Sequence, residues 1–344
     1  MTTANQITVR GVLNSPIVAV CVLIADVGWN ISATQLGTSM TRSGGKTVHF
    51  NRTISSSKTM KKTRPVLRYH GGKWKLAPWI IKHLPPHKVY VEPYGGAASV
   101  LLQKPRVYAE VYNDLGDEVV NVFQVMREPL QMEELKKQLT LTPFSEVEFF
   151  GAYEAAEDPI EKARRTIVRS FMGFGSASSN AKYTTGFRGK SFRSGTSPAN
   201  DWRNYPNALD WFCERLQGVT IRNKPALDLI PTLDREDVLF YVDPPYVRST
   251  RCKDSNGDVY AHEMDDAQHE DLAAALHDLK GKVVLSGYRC DLYEDLYGDW
   301  KSLDKDWFAD GARERVETLW FNPAAANKDL HLLGMASDLA EAVN

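Results

Sequence analysis

The sequence predicts an α/β protein with an open sheet of nucleotide-binding type and an inserted, mainly helical segment. Three observations carry this expectation. A short strand, Val89-Tyr90-Val91, runs through a glycine turn, Glu92-Pro93-Tyr94-Gly95-Gly96-Ala97-Ala98-Ser99, into an apolar helix start at Val100-Leu101-Leu102. Strand, glycine turn and helix form the first unit of a nucleotide-binding α/β fold. An apolar run, Val238-Leu239-Phe240-Tyr241-Val242, reads as a buried strand and ends in Asp243-Pro244-Pro245-Tyr246. Between these two units the pattern breaks into a stretch rich in basic and aromatic residues.

Residues 1–60 differ from the rest of the chain, being rich in Thr, Ser, Asn and Gly with little helical periodicity. They read as a poorly ordered N-terminal extension or a small β-rich appendage. Within them, 17–25 is a short apolar run with Arg10 before it, the outline of a weak signal peptide, and Met60-Lys61-Lys62 has the look of a second start. Next comes Arg68-Tyr69-His70-Gly71-Gly72-Lys73, followed by an amphipathic stretch over 74–84. The two glycines permit close backbone approach to a ligand, with Lys73 near a helix start. Taken alone, the same residues also fit a plain turn with a solvated lysine.

The glycine turn after Val91 is not a P-loop, since no G-K-[ST] closes it. The helix start behind it would favour a ligand carboxylate. About twenty residues on, a second strand over 108–112 ends in Asn113-Asp114. An acid at that offset suits ribose hydroxyls; capping of the next helix is the plainer alternative. Helical patterns occupy 115–139 and 146–170. From 160 to 224 there are twelve basic residues against four acidic ones, in a chain of net charge −1. Phe174, Tyr183, Phe187 and Phe192 are interleaved with Lys182, Arg188, Lys190 and Arg193. Such a mixture suits a phosphate backbone and unstacked bases; a solvated basic face is the alternative. Val219-Thr220-Ile221 reads as a strand, with Asp228 a few residues later. After the central strand, 247–262 is polar and reads as a loop over the site. A helix over 265–279, a strand over 282–285 ending at Ser286-Gly287-Tyr288, a short helix over 292–297 and a last strand over 317–322 complete the chain. Beyond Pro323 the sequence reads as a frayed tail, with a weak helical pattern over 330–339.

At 344 residues the chain holds one large domain or two. The four cysteines, Cys21, Cys213, Cys252 and Cys290, are far apart and form no C-x-x-C, so neither a zinc site nor a disulfide framework is signalled. That fits a reducing cytoplasm. No apolar run reaches the ~18 residues of a membrane span.

Asp243 to Tyr246 carries a specific chemistry. Each proline lacks an N–H and fixes φ, so the chain leaves the sheet as a stiff turn with an acid at the strand tip. An exocyclic amine on an aromatic base is a poor nucleophile, because its lone pair is delocalised. The Asp243 carboxylate and the Pro244 carbonyl can accept its two N–H bonds and free that lone pair, while Tyr246 stacks on the base.

In this order and spacing the motifs resemble those of Dam-type (D12 class) DNA adenine-N6 methyltransferases of bacteria and phages, over about Arg64 to Pro323. Tyr69-His70-Gly71-Gly72-Lys73 resembles the family's aromatic-x-G-G-K motif. Val91 to Val100 resembles its methionine-binding loop, Asn113-Asp114 its ribose-binding acid, and Asp243-Pro244-Pro245-Tyr246 its catalytic motif. The resemblance implies a Rossmann-like S-adenosylmethionine-dependent methyltransferase sheet formed by 61–145 and 225–325. It also implies a target-recognition domain over 146–224 and a tail over 326–344. It implies catalysis by Asp243, Pro244 and Tyr246. Cofactor contacts fall to Tyr69, Lys73, Glu92, Pro93, Gly95, Gly96, Asp114, Asp228 and Asp243, and DNA contacts to Arg188, Lys190 and Arg193. The expected cofactor is S-adenosylmethionine without a metal, and the partner double-stranded DNA bound by a monomer. The departures are Tyr69 where the family often has Trp, and Ala98 where it has glycine, tolerable if φ there is negative. Residues 1–60 have no counterpart in the pattern. Transfer to cytosine N4 or to RNA adenine, or a non-catalytic DNA-binding relative, are the alternative readings. Cytosine enzymes more often carry Ser where this chain has Asp243.

Overall fold

The computed structural model describes residues 64–175, 184–189, 197–250, 260, 262–309 and 313–326, with backbone alone at 307–309 and 313–315, together with the backbone of three strands between 29 and 50. The chain divides into two compact units, Met1–Lys61 and Lys62–Asn344. In the first, β1 (Trp29–Thr34), β2 (Gly37–Arg42) and β3 (Thr47–Phe50) pair antiparallel in that order. These strands fall in the segment read as a poorly ordered extension or a β-rich appendage. The 17–25 run, Met60 and the 330–339 pattern lie outside the described residues.

The second unit is built on seven strands: β4 (Val89–Glu92), β5 (Ala109–Asn113), β6 (Val219–Arg222), β7 (Val238–Val242), β8 (Lys282–Gly287), β9 (Lys301–Ala309) and β10 (Arg313–Phe321). Their order is β6-β5-β4-β7-β8-β10-β9. The strands from β6 to β8 run parallel, and β10 is antiparallel to both β8 and β9. β4 and β7 are buried along their whole lengths, as parallel strands covered on both faces must be. Alternation divides their side chains between two cores. Tyr90, Tyr112, Leu239, Tyr241 and Val284 enter one; Val91, Val111, Phe240, Val242 and Val283 enter the other. The order reverses between β4 and β7, and such a reversal opens a crevice at the C-terminal strand ends.

On the first face lie α1 (Ala77–Lys82), α2 (Ser99–Gln103) and α3 (Asp117–Arg127). With them are α4 (Pro129–Leu141), α5 (Glu146–Gly151), α6 (Pro159–Met172), α7 (Pro198–Asn204) and α8 (Leu209–Leu216). The other face carries α9 (Ala226–Leu233), α10 (Asp266–His277) and α11 (Asp291–Tyr297). The helical pattern over 115–139 is two helices, because Pro129 forces Glu128 to an extended ψ of 114°. The pattern over 146–170 is likewise broken before Pro159, where Asp158 caps α6 by accepting from the Glu161 N–H.

The helices of 146–216 do not form a core of their own. Ile167, Phe171, Trp202 and Phe212 pack in one cluster with Val122 and Phe123 of α3 and with the sheet face. The Tyr205 hydroxyl donates to the Val66 carbonyl at 2.8 Å, and Trp202 Nε1 to the Thr142 carbonyl at 2.7 Å. β6, inside the 146–224 stretch, is one of the two edge strands of the main sheet. β9 went unread in the sequence. Lys301, Asp304, Lys305 and Asp306 make it polar, as an edge strand that resists pairing with other chains should be. Among the described residues no helix is long and apolar enough to cross a membrane.

Candidate active site

The tips of β4, β5 and β7 meet at the crevice. Asn113, the last residue of β5, ties its end to the segments that follow β4 and β6: its Nδ2 donates to the Pro93 carbonyl (2.8 Å) and the Lys224 carbonyl (3.0 Å), and its Oδ1 accepts from the Lys224 N–H (3.1 Å). The glycine turn then folds back on β5. A Cβ at Gly95 would lie 2.2 Å from the Tyr112 ring, so no other residue fits there. Gly96, at φ +47°, donates its N–H to Asp114 Oδ2 at 2.8 Å, and Asp114 Oδ1 accepts from the Gly116 N–H at 2.7 Å. Each oxygen keeps a further lone pair for a ligand hydroxyl. Burial raises the Asp114 pKa, while these N–H bonds pull it down.

Ala98 is the exception in the turn. It sits at φ +51° and ψ +37°, so the negative φ that would have excused its methyl group is not adopted. Left-handed backbone is strained for any residue with a Cβ. The five-residue α2 behind it gives its Leu101 N–H to Glu92 Oε1 at 2.7 Å, so the acidic partner of that helix end is the chain's own glutamate. Glu92 Oε1 also accepts from the Tyr90 hydroxyl at 2.7 Å. Burial pushes its pKa up to about 8, against the opposing effect of the Tyr90 and Leu101 bonds.

The second half of the site gathers around Asp243, one residue past β7. Its Oδ1 accepts from Lys73 Nζ at 2.9 Å and from the Ser286 hydroxyl at 2.8 Å. Lys73 Nζ also donates to the Gly71 carbonyl at 2.9 Å, lies 3.8 Å from Glu317 Oε1 and sits 4.6 Å from the centre of the Tyr246 ring. Burial alone would lower the Lys73 pKa, but Asp243 and Glu317 hold it above its ordinary value. The Tyr246 hydroxyl donates to Glu317, and Tyr288 meets the Tyr246 ring edge-on at 4.6 Å.

One cavity connects the two halves. Tyr69, Lys73, Glu92, Pro93, Gly95, Gly96, Asp114, Asp243 and Pro244 all line it, so nine residues singled out in the sequence meet in one place. Two others do not. Asp228 is exposed on α9 and is not part of the cavity wall, which ends just before it at Leu227. Tyr246 is 6 % exposed behind the wall, one side of its ring facing the Lys73 ammonium. Arg188 is buried, its guanidinium 3.8 Å from Asp201; Lys190 and Arg193 lie outside the described residues. The sequence reading missed Glu317 and the bond from Ser286 to Asp243, as well as Tyr260 and His262 on the cavity wall. Ser286 lies on β8, beside β7, and Glu317 on β10, one strand further out; both are far from β7 in sequence. Three carboxylates on the wall, Asp114, Asp243 and Glu263, face two lysines, Lys73 and Lys224, a balance that suits a ligand with a cationic centre; Glu92, its pKa pushed up to about 8, adds a protonated acid. Among the described residues no group of three or more His, Cys, Asp and Glu is placed to hold a metal ion.

Fold and site together define an α/β protein with a ligand cleft at the switch point of its sheet and a carboxylate at the central strand tip. The family model for D12 class N6 adenine-specific DNA methyltransferases matches residues 69–310, and the chain belongs to that family of DNA adenine methylases. It is similar to a DNA adenine methylase of Serratia marcescens, at 23 % identity over 249 residues, 69 % of this chain and 88 % of that one. It is also similar to the DNA adenine methylases of Salmonella typhi and Escherichia coli K12. Identity there is 24 % over 197 residues and 26 % over 195, in each case 54 % of this chain and 66 % of the relative.

Proposed function

We propose that this chain transfers a methyl group from S-adenosylmethionine to N6 of an adenine turned out of duplex DNA, acting as a monomer. The observation that carries the reading is the setting of Asp243. Lys73 and Ser286 both bond to its Oδ1, which fixes the carboxylate and leaves Oδ2 with its acceptor capacity. Bound in the cavity, the cofactor supplies a methyl group already activated on a sulfonium. Asp114 would take its ribose hydroxyls. Tyr69 lies against the glycine turn, where a Cβ at Gly96 would be 3.0 Å from its ring. The acidic wall suits the cation.

The target amine is paired and stacked in duplex DNA, so the base must leave the helix at a cost of a few kcal/mol. Asp243 Oδ2 accepts one N–H of the amine and the Pro244 carbonyl the other. With its lone pair so freed, the amine would take the activated methyl group as the sulfur leaves with the bonding pair, and Asp243 would receive the proton released from nitrogen. Rate comes from position and from fixed charge. Transfer of labelled methyl groups to duplex DNA, with detection of the modified base, tests the reading directly. Label on cytosine, or on RNA in preference to DNA, would replace it.

The 146–224 stretch is proposed as the source of DNA contacts, less β6, which belongs to the sheet. Lys190 and Arg193 are the proposed phosphate contacts; Arg188 could join them only by leaving Asp201. Each phosphate contact removed flattens the plot of log affinity against log salt by ~0.9. Lys190→Ala with Arg193→Ala should therefore lower that slope by about 2 while leaving cofactor affinity unchanged. An unchanged slope would place DNA binding elsewhere.

A further inference from the structure

Glu317 is a buried acid to which the proposed transfer assigns no part. It comes from β10, the antiparallel strand, and is 3 % exposed. A carboxylate so placed costs free energy unless it is partnered, and an apolar side chain would fill the same space without that cost. Its partners are all groups of the site. The Tyr246 hydroxyl donates to Glu317 Oε1, and Lys73 Nζ stands 3.8 Å from the same oxygen while bonding Asp243 at 2.9 Å. One ammonium thus lies between two carboxylates and over the ring of the tyrosine that one of them holds. Ser286, on the adjacent strand β8, fixes Asp243 from the other side.

We infer that Glu317 is a positioning residue for the methyl transfer. It anchors the Tyr246 phenol and, across Lys73, the Asp243 carboxylate, so that ring and acceptor keep one geometry relative to the target amine. The inference rests on the proposed activity. Glu317 touches neither base nor cofactor. It acts through Tyr246 and Lys73, so its loss should appear in kcat and in handling of the flipped base, and not in cofactor affinity.

The test uses the full chain and four variants: Glu317→Ala, Glu317→Gln, Tyr246→Phe, and Glu317→Ala combined with Tyr246→Phe. For each, methyl transfer to duplex DNA is measured as kcat and KM, cofactor affinity by calorimetry, and base extrusion by fluorescence of 2-aminopurine at the target position. Glu317→Ala should lower kcat about tenfold or more, the equivalent of one buried hydrogen bond left unmade, with cofactor affinity unchanged. Glu317→Gln, whose amide oxygen still accepts from the phenol, should recover most of that loss. The two single changes in the combined variant should not multiply, because both act on the same bond. Should Glu317→Ala fail to fold, Tyr246→Phe, which removes the same bond from its other end, carries the test: kcat should fall with cofactor affinity unchanged, and a wild-type kcat and fluorescence would overturn the inference. Multiplying effects, or wild-type kcat and fluorescence in both Glu317 variants, would overturn the inference and leave the proposed activity standing. A wild-type chain that binds the cofactor and moves no methyl overturns that activity and this inference with it.

Discussion

At the tips of β4, β5 and β7, Glu92, Asp114 and Asp243 border a cavity, whereas five arginines of the stretch 146–216 are held by acids. Arg164 pairs with Glu161 and Glu148, Arg165 with Glu161 and Glu154, Arg169 with Glu118, Arg188 with Asp201 and Arg215 with Glu110. Five of the twelve basic residues counted between 160 and 224 therefore answer acids, four of which, Glu110, Glu118, Glu148 and Glu154, lie outside the window of that count. A local charge excess in sequence is not a charged surface. Arg203, Arg222 and Lys224 are exposed, and Lys224 belongs to the cavity wall. Charge lines a cavity at the strand tips and is paired off in the helices.

The sharpest break of this comparison is at Glu110. Arg215 donates to it twice, at 2.6 and 3.0 Å, and Lys104 once, at 2.7 Å, and all three side chains are at most 7 % exposed. Glu110→Ala leaves two cations buried without their acid and should cost ~3–5 kcal/mol of stability, measured by urea unfolding. A loss below ~1 kcal/mol, the scale of a surface pair, would mean that Arg215 is not held as a core charge. The matching change at the strand tips is Asp243→Ala. It should lower methyl transfer by ~10²–10³, the scale of one lost electrostatic contact in a transition state, while the chain stays folded. Retention of a tenth of the wild-type rate would remove Asp243 from the role given to it.

The two regions also differ in how legible they were. Asp243 could be read because the apolar run before it and the prolines after it are local signals, and the glycine turn with Asp114 is local in the same way. Glu317 and Ser286 could not, because 71 and 43 residues separate each from the group it bonds, and only the order of β7, β8 and β10 brings them together. The helix breaks at Pro129 and Pro159 were present in the sequence, but amphipathic spacing on both sides of each proline masked them. β9 was hidden by its own polarity. Asp228 was chosen for its place after a strand; it falls in the first turn of α9, a position any acid can take to complement a helix end.

A smaller effect separates Glu92 from the paired acids of the helices. Its folded pKa is pushed up to about 8 by burial, above the ~4.3 of an unfolded chain. Between those values the folded state keeps a proton that the unfolded state has lost. This contribution is therefore fully present below the unfolded pKa and is lost as pH rises to about 8. Glu161, by contrast, is held below its ordinary pKa, first by its bond from Arg164, so its contribution runs the other way and is lost on acidification. Glu92→Gln, which can still accept from Tyr90 and Leu101, should make the melting temperature fall less steeply between about pH 5 and pH 8. An unaltered slope would mean that Glu92 is ionised in the folded protein.

The smallest expected effect is at Ala98, where a site built from local signals departs from its own pattern. Glycine at φ +51° would relieve left-handed strain of ~1–2 kcal/mol. Two terms oppose this. The fully buried methyl group contributes ~0.8 kcal/mol of apolar burial. Glycine also loosens the unfolded chain by ~0.4–1 kcal/mol. The terms nearly cancel, so Ala98→Gly should move stability by less than ~1 kcal/mol in either direction. That near balance explains how alanine persists in the turn. A penalty above ~2 kcal/mol would mean that the methyl group is a packing element of the turn and the strain slight, whereas a gain of that size would mean that strain dominates. Ala98→Val separates the terms further, since a branched side chain suffers more at positive φ and has no space in a fully buried position. It should destabilise the protein where Ala98→Gly does not, and the difference measures the strain held in this turn.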